Sequence, residues 1–334
     1  MAYDGKILRR ALQRFEEDKR AREERARDRR EGVFHRQPRL REIDAELRAT
    51  MSRILSTALR KGTDPRAAVE ALKKQNLGLQ EERRLLLEGL GLPADCLEEK
   101  PACPLCGDSG WREGRMCRCL RAYCAREQQK ELSRMLDLGN QSFESFSLEW
   151  YSETEDPALG VSPRENMELV YEVCLNYAQK FGKFFFQNLF LTGDPGLGKT
   201  FLSACIARTV AENGFSVVYD TASTILTQFE EGKFARDTEE GRQAREETNR
   251  YLHCDLLILD DLGSEARTPF FQSALYTLVN TRLVEGRATV ISSNLSMEGI
   301  RNRYSGQVAS RLEGEYQTLR FYGEDIRLQR KQRG

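Results

Sequence analysis

The chain holds 334 residues, 31% of them charged, and its 52 basic and 52 acidic side chains cancel. That length suffices for two or more domains with a sizeable core, and the balance excludes attachment to nucleic acid by overall charge alone. No apolar run reaches the roughly 18 residues of a membrane span and the N-terminus is not signal-like, so a soluble, cytoplasmic protein without a membrane partner is expected.

Residues 4–31 are mostly charged, with Ile7, Leu8, Leu12 and Phe15 at helical spacing on one face. This predicts a long exposed helix supported by i,i+4 ion pairs or by a partner. Basic residues outnumber acidic ones 13 to 8 over residues 1–40, and Arg327-Leu-Gln-Arg330-Lys331-Gln-Arg333 forms a second basic cluster. Each cluster fits either phosphate contact or a solvated helix face. Pro38 breaks the first helix, and Leu40, Ile43, Leu47, Met51, Ile54 and Ala58 predict a second, amphipathic one. Gly62-Thr-Asp-Pro65 supplies a stop and a restart, with Pro65 suited to the first turn of a third helix. That helix runs through Val69, Leu72, Leu79 and Leu86 to about Leu90, with an interruption expected near Gly78, and Gly91-Leu-Pro93 ends it. Residues 1–95 thus read as a helical, partner-binding module.

Residues 96–130 change character, with five of the nine cysteines packed between Cys103 and Cys124. Cys103-Pro-Leu-Cys106 and Cys117-Arg-Cys119 offer four thiolates from two short turns, the pattern of a closed, structural zinc site. In a reducing compartment metal binding is the better default than disulfides, and Cys124 or Cys96 could replace one ligand. Closing such a site would order a segment too small to build a core. Cys174, Cys205 and Cys254 fit core positions, and a helical spacer is expected over residues 125–138.

From about Ser142 strands and helices alternate. The apolar runs 188–192, 216–220, 256–260 and 288–292 predict strands of a parallel sheet covered by helices on both faces, an α/β fold. Directly after the first run stands Gly193-Asp194-Pro195-Gly196-Leu197-Gly198-Lys199-Thr200, and an amphipathic helix follows over 201–211. A buried strand before and a helix after are the context that makes this motif a phosphate-binding loop. Its N–H groups and the helix N-terminus would cradle phosphates, Lys199 would reach the β and γ phosphates, and the Thr200 hydroxyl would ligate magnesium. The chain is therefore expected to bind a nucleoside triphosphate.

The run Leu256-Leu-Ile-Leu ends in Asp260-Asp261, and strand alternation is expected to point the two carboxylates apart. Asp260 suits the magnesium side and Asp261 can orient the attacking water. Asn294, after the next strand, can bond that water or the γ phosphate, or cap the following helix. Arg311, beyond the last strand–helix unit, fits action on a neighbouring subunit's nucleotide or a surface ion pair.

Together, residues 193–200, 256–263, Ser292-Ser-Asn294-Leu295 and Ser310-Arg311-Leu312 resemble the AAA+ ATPases of the DnaC/DnaI helicase-loader and IstB transposition-helper group. Asp260-Asp-Leu-Gly263, Arg303-Tyr304 and Phe321-Tyr-Gly-Glu-Asp-Ile-Arg327 are similar to the loader branch in particular. The resemblance, over roughly residues 142–330, implies an AAA+ P-loop fold over 131–334 with ATP, Walker A and B motifs, sensor 1 at Asn294 and a trans-acting arginine finger at Arg311. Most AAA+ proteins carry Glu where Asp261 stands, and many relatives carry Arg where Gln307 stands. Asp261 thus implies slow turnover, and the finger rests on Arg311 alone. Only 23 residues follow Arg311, too few for the usual helical lid, which implies self-association through the ATP site.

These features predict an ATP-dependent helicase loader of DNA replication that binds a replicative helicase and single-stranded DNA. The helix around residues 223–229, with Lys233 and Arg236, supplies candidate DNA contacts. A transposition helper, or an ATP-switched adaptor with negligible hydrolysis, are the alternatives.

Overall fold

The computed structural model describes residue 3 and residues 5–58, 66–136, 141–157, 160–235 and 238–333. The expected turn at Gly62–Pro65, Arg236, and the side chains of Met51, Ile54, Ala58 and Val69 lie outside the described residues. The chain divides into two compact units, Gln13–Cys117 and Met1–Leu12 with Arg118–Gly334.

The first helices are α1 (Gly5–Arg36), α2 (Pro38–Ala58) and α3 (Arg66–Gly89). In the smaller unit Val33, Phe34, Leu40, Leu87 and Leu97 form an apolar cluster. Pro38 opens α2, where its fixed φ and missing N–H cost nothing. α3 runs unbroken through Gly78, against the expected interruption. One glycine costs a helix only about 1 kcal/mol, and the burial of Leu79 next to it offsets that cost. A two-residue hairpin follows, β1 (Trp111–Arg112) against β2 (Arg115–Met116). Glu113 and Gly114 turn it, both at positive φ as a tight two-residue hairpin requires.

The larger unit contains α4 (Arg118–Leu136), α5 (Pro163–Gln179), β3 (Leu189–Thr192), α6 (Lys199–Glu212), β4 (Val217–Thr221), α7 (Ala222–Phe234) and α8 (Glu239–His253). It continues with β5 (Leu256–Leu262), α9 (Pro269–Val284), β6 (Ala288–Ser293), α10 (Met297–Arg303), α11 (Gly306–Glu315), β7 (Gln317–Arg320) and α12 (Ile326–Arg333). The five strands are parallel in the order β4-β5-β6-β3-β7. The four predicted strands are present, and β7 joins them at the β3 edge.

Strand alternation divides the core into two layers. Leu189, Leu191, Leu256, Ile258 and Val290 pack toward α5 and α6 with Met167, Val170, Leu202 and Ile206. Phe190, Leu257, Leu259 and Ile291 pack on the opposite face with Leu226, Leu275, Leu278 and Leu312. Arg282 of α9 is fully buried in this unit. Its guanidinium donates to the carbonyls of Tyr251 at 2.7 Å, Leu252 and Cys254 at 3.1 Å, to that of Ala288, and to the Thr289 hydroxyl at 3.0 Å. Those acceptors end α8, open β5 and start β6, so one side chain satisfies the strand entrances on that side. Among the described residues no helix is long and apolar enough to cross a membrane.

Candidate nucleotide-binding site

In a parallel sheet the carboxyl ends of the strands carry the ligand crevice. The loop after β3 occupies that edge and leads into α6. Gly198 is its N-cap at φ 89, and Gly196 stands at φ 80, left-handed conformations in which a side chain is strained. Crowding adds to this, since a Cβ on Gly196 would collide with the Asp325 carboxylate, and one on Gly198 would lie 3.0 Å from the Tyr151 hydroxyl. Tyr151 itself donates to the Leu197 carbonyl at 2.9 Å, and the Ile326 N–H donates to the Gly196 carbonyl at 3.1 Å. The loop is thereby held from outside by two segments remote in sequence.

The Lys199 ammonium donates to the carbonyls of Gly193 at 2.6 Å and Asp194 at 2.7 Å. Burial pushes it down to about 8, against the opposing pull of Asp194 and Asp260. The Thr200 hydroxyl donates to Asp260 Oδ2 at 3.1 Å. Tyr219 donates to the same oxygen at 2.6 Å, and Ser292 donates to Asp260 Oδ1. Burial, with the Asp260 charge, pushes the Tyr219 phenol far up, so it remains a neutral donor.

Asp260 and Asp261 part by a bulge rather than by simple alternation. β5 gains a residue on β6 between Leu259 and Leu262, and Asp261 takes φ 56, unusual for a residue other than glycine. The Asp261 N–H donates to Ser292 Oγ at 3.0 Å, and Asn294 Nδ2 donates to Asp261 Oδ1 at 3.1 Å. Lys199, Thr200, Asp260, Asp261, Ser292 and Asn294 line one side of a cavity of about 530 Å³. Phe146, Trp150, Phe201, Ile326, Arg327 and Arg330 also line it. The Arg330 guanidinium lies 5.4 Å from the Trp150 ring centroid. Two arginines of the C-terminal basic cluster thus face this cavity.

The cavity can take an apolar, flat group beside Phe146 and Trp150 and a polyanion beside Lys199, Arg327 and Arg330. The oxygen donors of Thr200 and Asp260, 3.1 Å apart, suit a hard cation such as magnesium. Sequence reasoning missed Phe146, Trp150 and Tyr219, which carry no motif; aromatic residues in strands and turns read as core. Arg311 is not among the cavity-lining residues. Its guanidinium instead donates to Asn280 Oδ1 at 2.9 and 2.8 Å and to the Tyr276 hydroxyl at 2.9 Å, above the Tyr276 ring. In α7, Ile225 and Leu226 are buried while Ser223 and Thr224 are exposed. The Lys233 ammonium lies 5.6 and 5.1 Å from the ring centroids of Phe234 and Phe270.

The sulfurs of Cys103, Cys106, Cys117 and Cys119 lie within 4.8 Å of one another, and Cys103 Sγ stands 3.8 Å from Cys117 Sγ. A zinc ion with four sulfurs at about 2.3 Å gives sulfur–sulfur edges of roughly 3.8 Å, so the cluster fits such an ion. Neither Cys124 nor Cys96 belongs to the group. The Asp108 carboxylate braces the first turn by accepting from the N–H groups of Cys103 at 2.8 Å and Ala102 at 3.0 Å.

Residues 184–333 match the family model described as "IstB-like ATP binding protein". Among curated proteins, the uncharacterized protein YdaV of Escherichia coli (strain K12) is 23% identical over 125 residues, 37% of this chain and 48% of that protein. The replicative helicase loader DnaI of Bacillus subtilis (strain 168) is 28% identical over 120 residues, 36% of this chain and 37% of the relative. The replicative helicase loader DnaC of Buchnera aphidicola subsp. Schizaphis graminum (strain Sg) is 24% identical over 177 residues, 52% of this chain and 63% of the relative. The chain spans less than two thirds of the length of each of these relatives. With its phosphate loop, paired aspartates and five parallel strands in this order, the stretch over residues 184–333 is similar to the IstB-like ATP-binding family, in agreement with the resemblance read from the sequence.

Proposed function

We propose that this chain is an ATP-dependent helicase loader of DNA replication. The observation that carries this reading is the convergence of Lys199, Thr200, Asp260, Asp261 and Asn294 on one cavity within a stretch similar to the IstB-like ATP-binding family. The similarity to relatives named as helicase loaders supports the direction of the proposal. Residues 1–95 would grip a replicative helicase, residues 96–130 would carry structural zinc on the four cysteines, and residues 131–334 would form the ATPase domain.

In this reading the loop 193–200 binds the phosphates through its N–H groups, and Lys199 leaves its loop carbonyls to meet the β and γ oxygens. Thr200 and Asp260 would hold magnesium, which would supply positive charge against the phosphates. Asp261, held by Asn294, orients the attacking water, and its short carboxylate makes turnover slow. Arg311 acts on the nucleotide of a neighbouring copy, with Tyr276 and Asn280 setting its direction. The α7 region with Lys233 and Arg236 contacts single-stranded DNA.

The test is capture of proteins from the host by the full chain, with and without ATP, together with single-stranded DNA binding in ATP. Recovery of a hexameric replicative helicase and ATP-dependent DNA binding are expected. Failure of both overturns the reading, and recovery of a transposase instead moves the chain to the transposition-helper class.

A further inference from the structure

Asp260 is more tightly held than a carboxylate at a strand tip needs to be. In the β4–β5 register Thr221 stands opposite Asp260. Tyr219, two residues earlier, therefore shares the Asp260 face of the sheet and reaches it on the diagonal. Its side chain is 3% exposed, and its hydroxyl donates to Asp260 Oδ2 at 2.6 Å. Ser292, equally buried, holds Oδ1 from β6 on the other side. The third donor, Thr200, comes from the cavity side and is exposed.

The three donors are not equivalent. Thr200 must turn an oxygen lone pair to any cation bound there, and its bond to Oδ2 then weakens. A carboxylate with a single remaining donor can rotate about its Cβ–Cγ bond, a soft torsion. Donors fixed at both oxygens remove that freedom, and both must come from inside the sheet. The partners behind a metal-side carboxylate orient it and tune its hold on the ion.

We propose that Tyr219 is the positioning residue for the magnesium side of this site: from the neighbouring strand it locks the Asp260 carboxylate in the orientation that receives the cation's water shell. The inference rests on the reading that Thr200 and Asp260 hold magnesium. It assigns a role to a residue outside every nucleotide motif in the chain, 41 positions before Asp260.

Tyr219→Phe removes one oxygen and keeps the ring in the core. The test titrates binding of a fluorescent ATP analogue to the full chain with magnesium, and separately in EDTA. The variant is expected to bind the metal-free analogue like wild type and to need about tenfold more magnesium for the same gain in affinity. An unchanged magnesium titration overturns the proposal. So does an equal loss with and without magnesium, which would mean that the hydroxyl only supports the fold. Wild-type binding that ignores magnesium, or an Asp260→Asn variant with a wild-type titration, instead overturns the reading of the site itself.

Discussion

The Asn294 carboxamide donates to Oδ1 of Asp261 across 3.1 Å, so the residue just after β6 holds the carboxylate that the β5 bulge turns out of its strand. Without that donor Asp261 loses its direction. Asn294→Ala is expected to lower ATP turnover by about 100-fold, since an orienting group acts mainly in the transition state. Nucleotide affinity should change only a few-fold. Steady-state phosphate release and equilibrium binding, measured on the same preparation, check the split.

Lys199 makes nucleotide binding sensitive to pH. Its proton is lost near pH 8 in the folded protein, well below the ordinary lysine value, because burial disfavours the charged form. Between that pH and the ordinary value the unfolded chain binds more protons, so this group's contribution to stability rises with pH there and is flat below. Phosphate binding runs the other way, because it requires the ammonium. Affinity for metal-free ATP should fall above pH 8, by up to about tenfold per pH unit, with proton uptake on binding. Calorimetry in two buffers of different ionisation heat measures the uptake, and Lys199→Ala should abolish the pH dependence.

The four-cysteine cluster should retain roughly one zinc ion per chain after purification. Cys117→Ser is expected to lose it and to make residues 103–119 sensitive to protease. ATP affinity should persist, since no cysteine of the cluster lines the nucleotide cavity. Metal analysis, limited proteolysis and nucleotide binding give the three readouts.

Arg282→Met should strongly destabilise the β4–β6 half of the sheet. It keeps much of the volume but leaves the buried carbonyls of Tyr251, Cys254 and Ala288, and the part-buried one of Leu252, without this donor. A loss of about 3 kcal/mol or more is expected, from several unmet buried acceptors. The shift in urea midpoint tests it.

Much of this site was legible because its chemistry is local. The phosphate loop, Asp260-Asp261 and the cysteine pairs each depend on short fixed spacings, and the apolar runs before them placed the strands. What escaped depends on the fold. Gln317–Arg320 is short and buries only Leu319, so it lacks the apolar signature of the four other strands and becomes β7 only by pairing with β3. Phe146 and Trp150 reach the cavity through a turn-rich segment without periodicity. The bulge at Asp260-Asp261 is set by its register on β6, which no spacing within β5 reveals.

The dependence of the phosphate loop on residues 321–326 bears on how the protein is made. β3 and the loop emerge from the ribosome long before β7, whose exit Phe321 donates to Thr192 at 2.7 Å, and before Ile326, which holds Gly196. At about 5–20 residues per second that interval is on the order of ten seconds. Through it the nascent domain exposes an open β3 edge and a loop braced from the Tyr151 side alone. The loop gains its second brace only when synthesis is nearly complete, so a chain truncated before Phe321 is expected to bind ATP more weakly than the full chain.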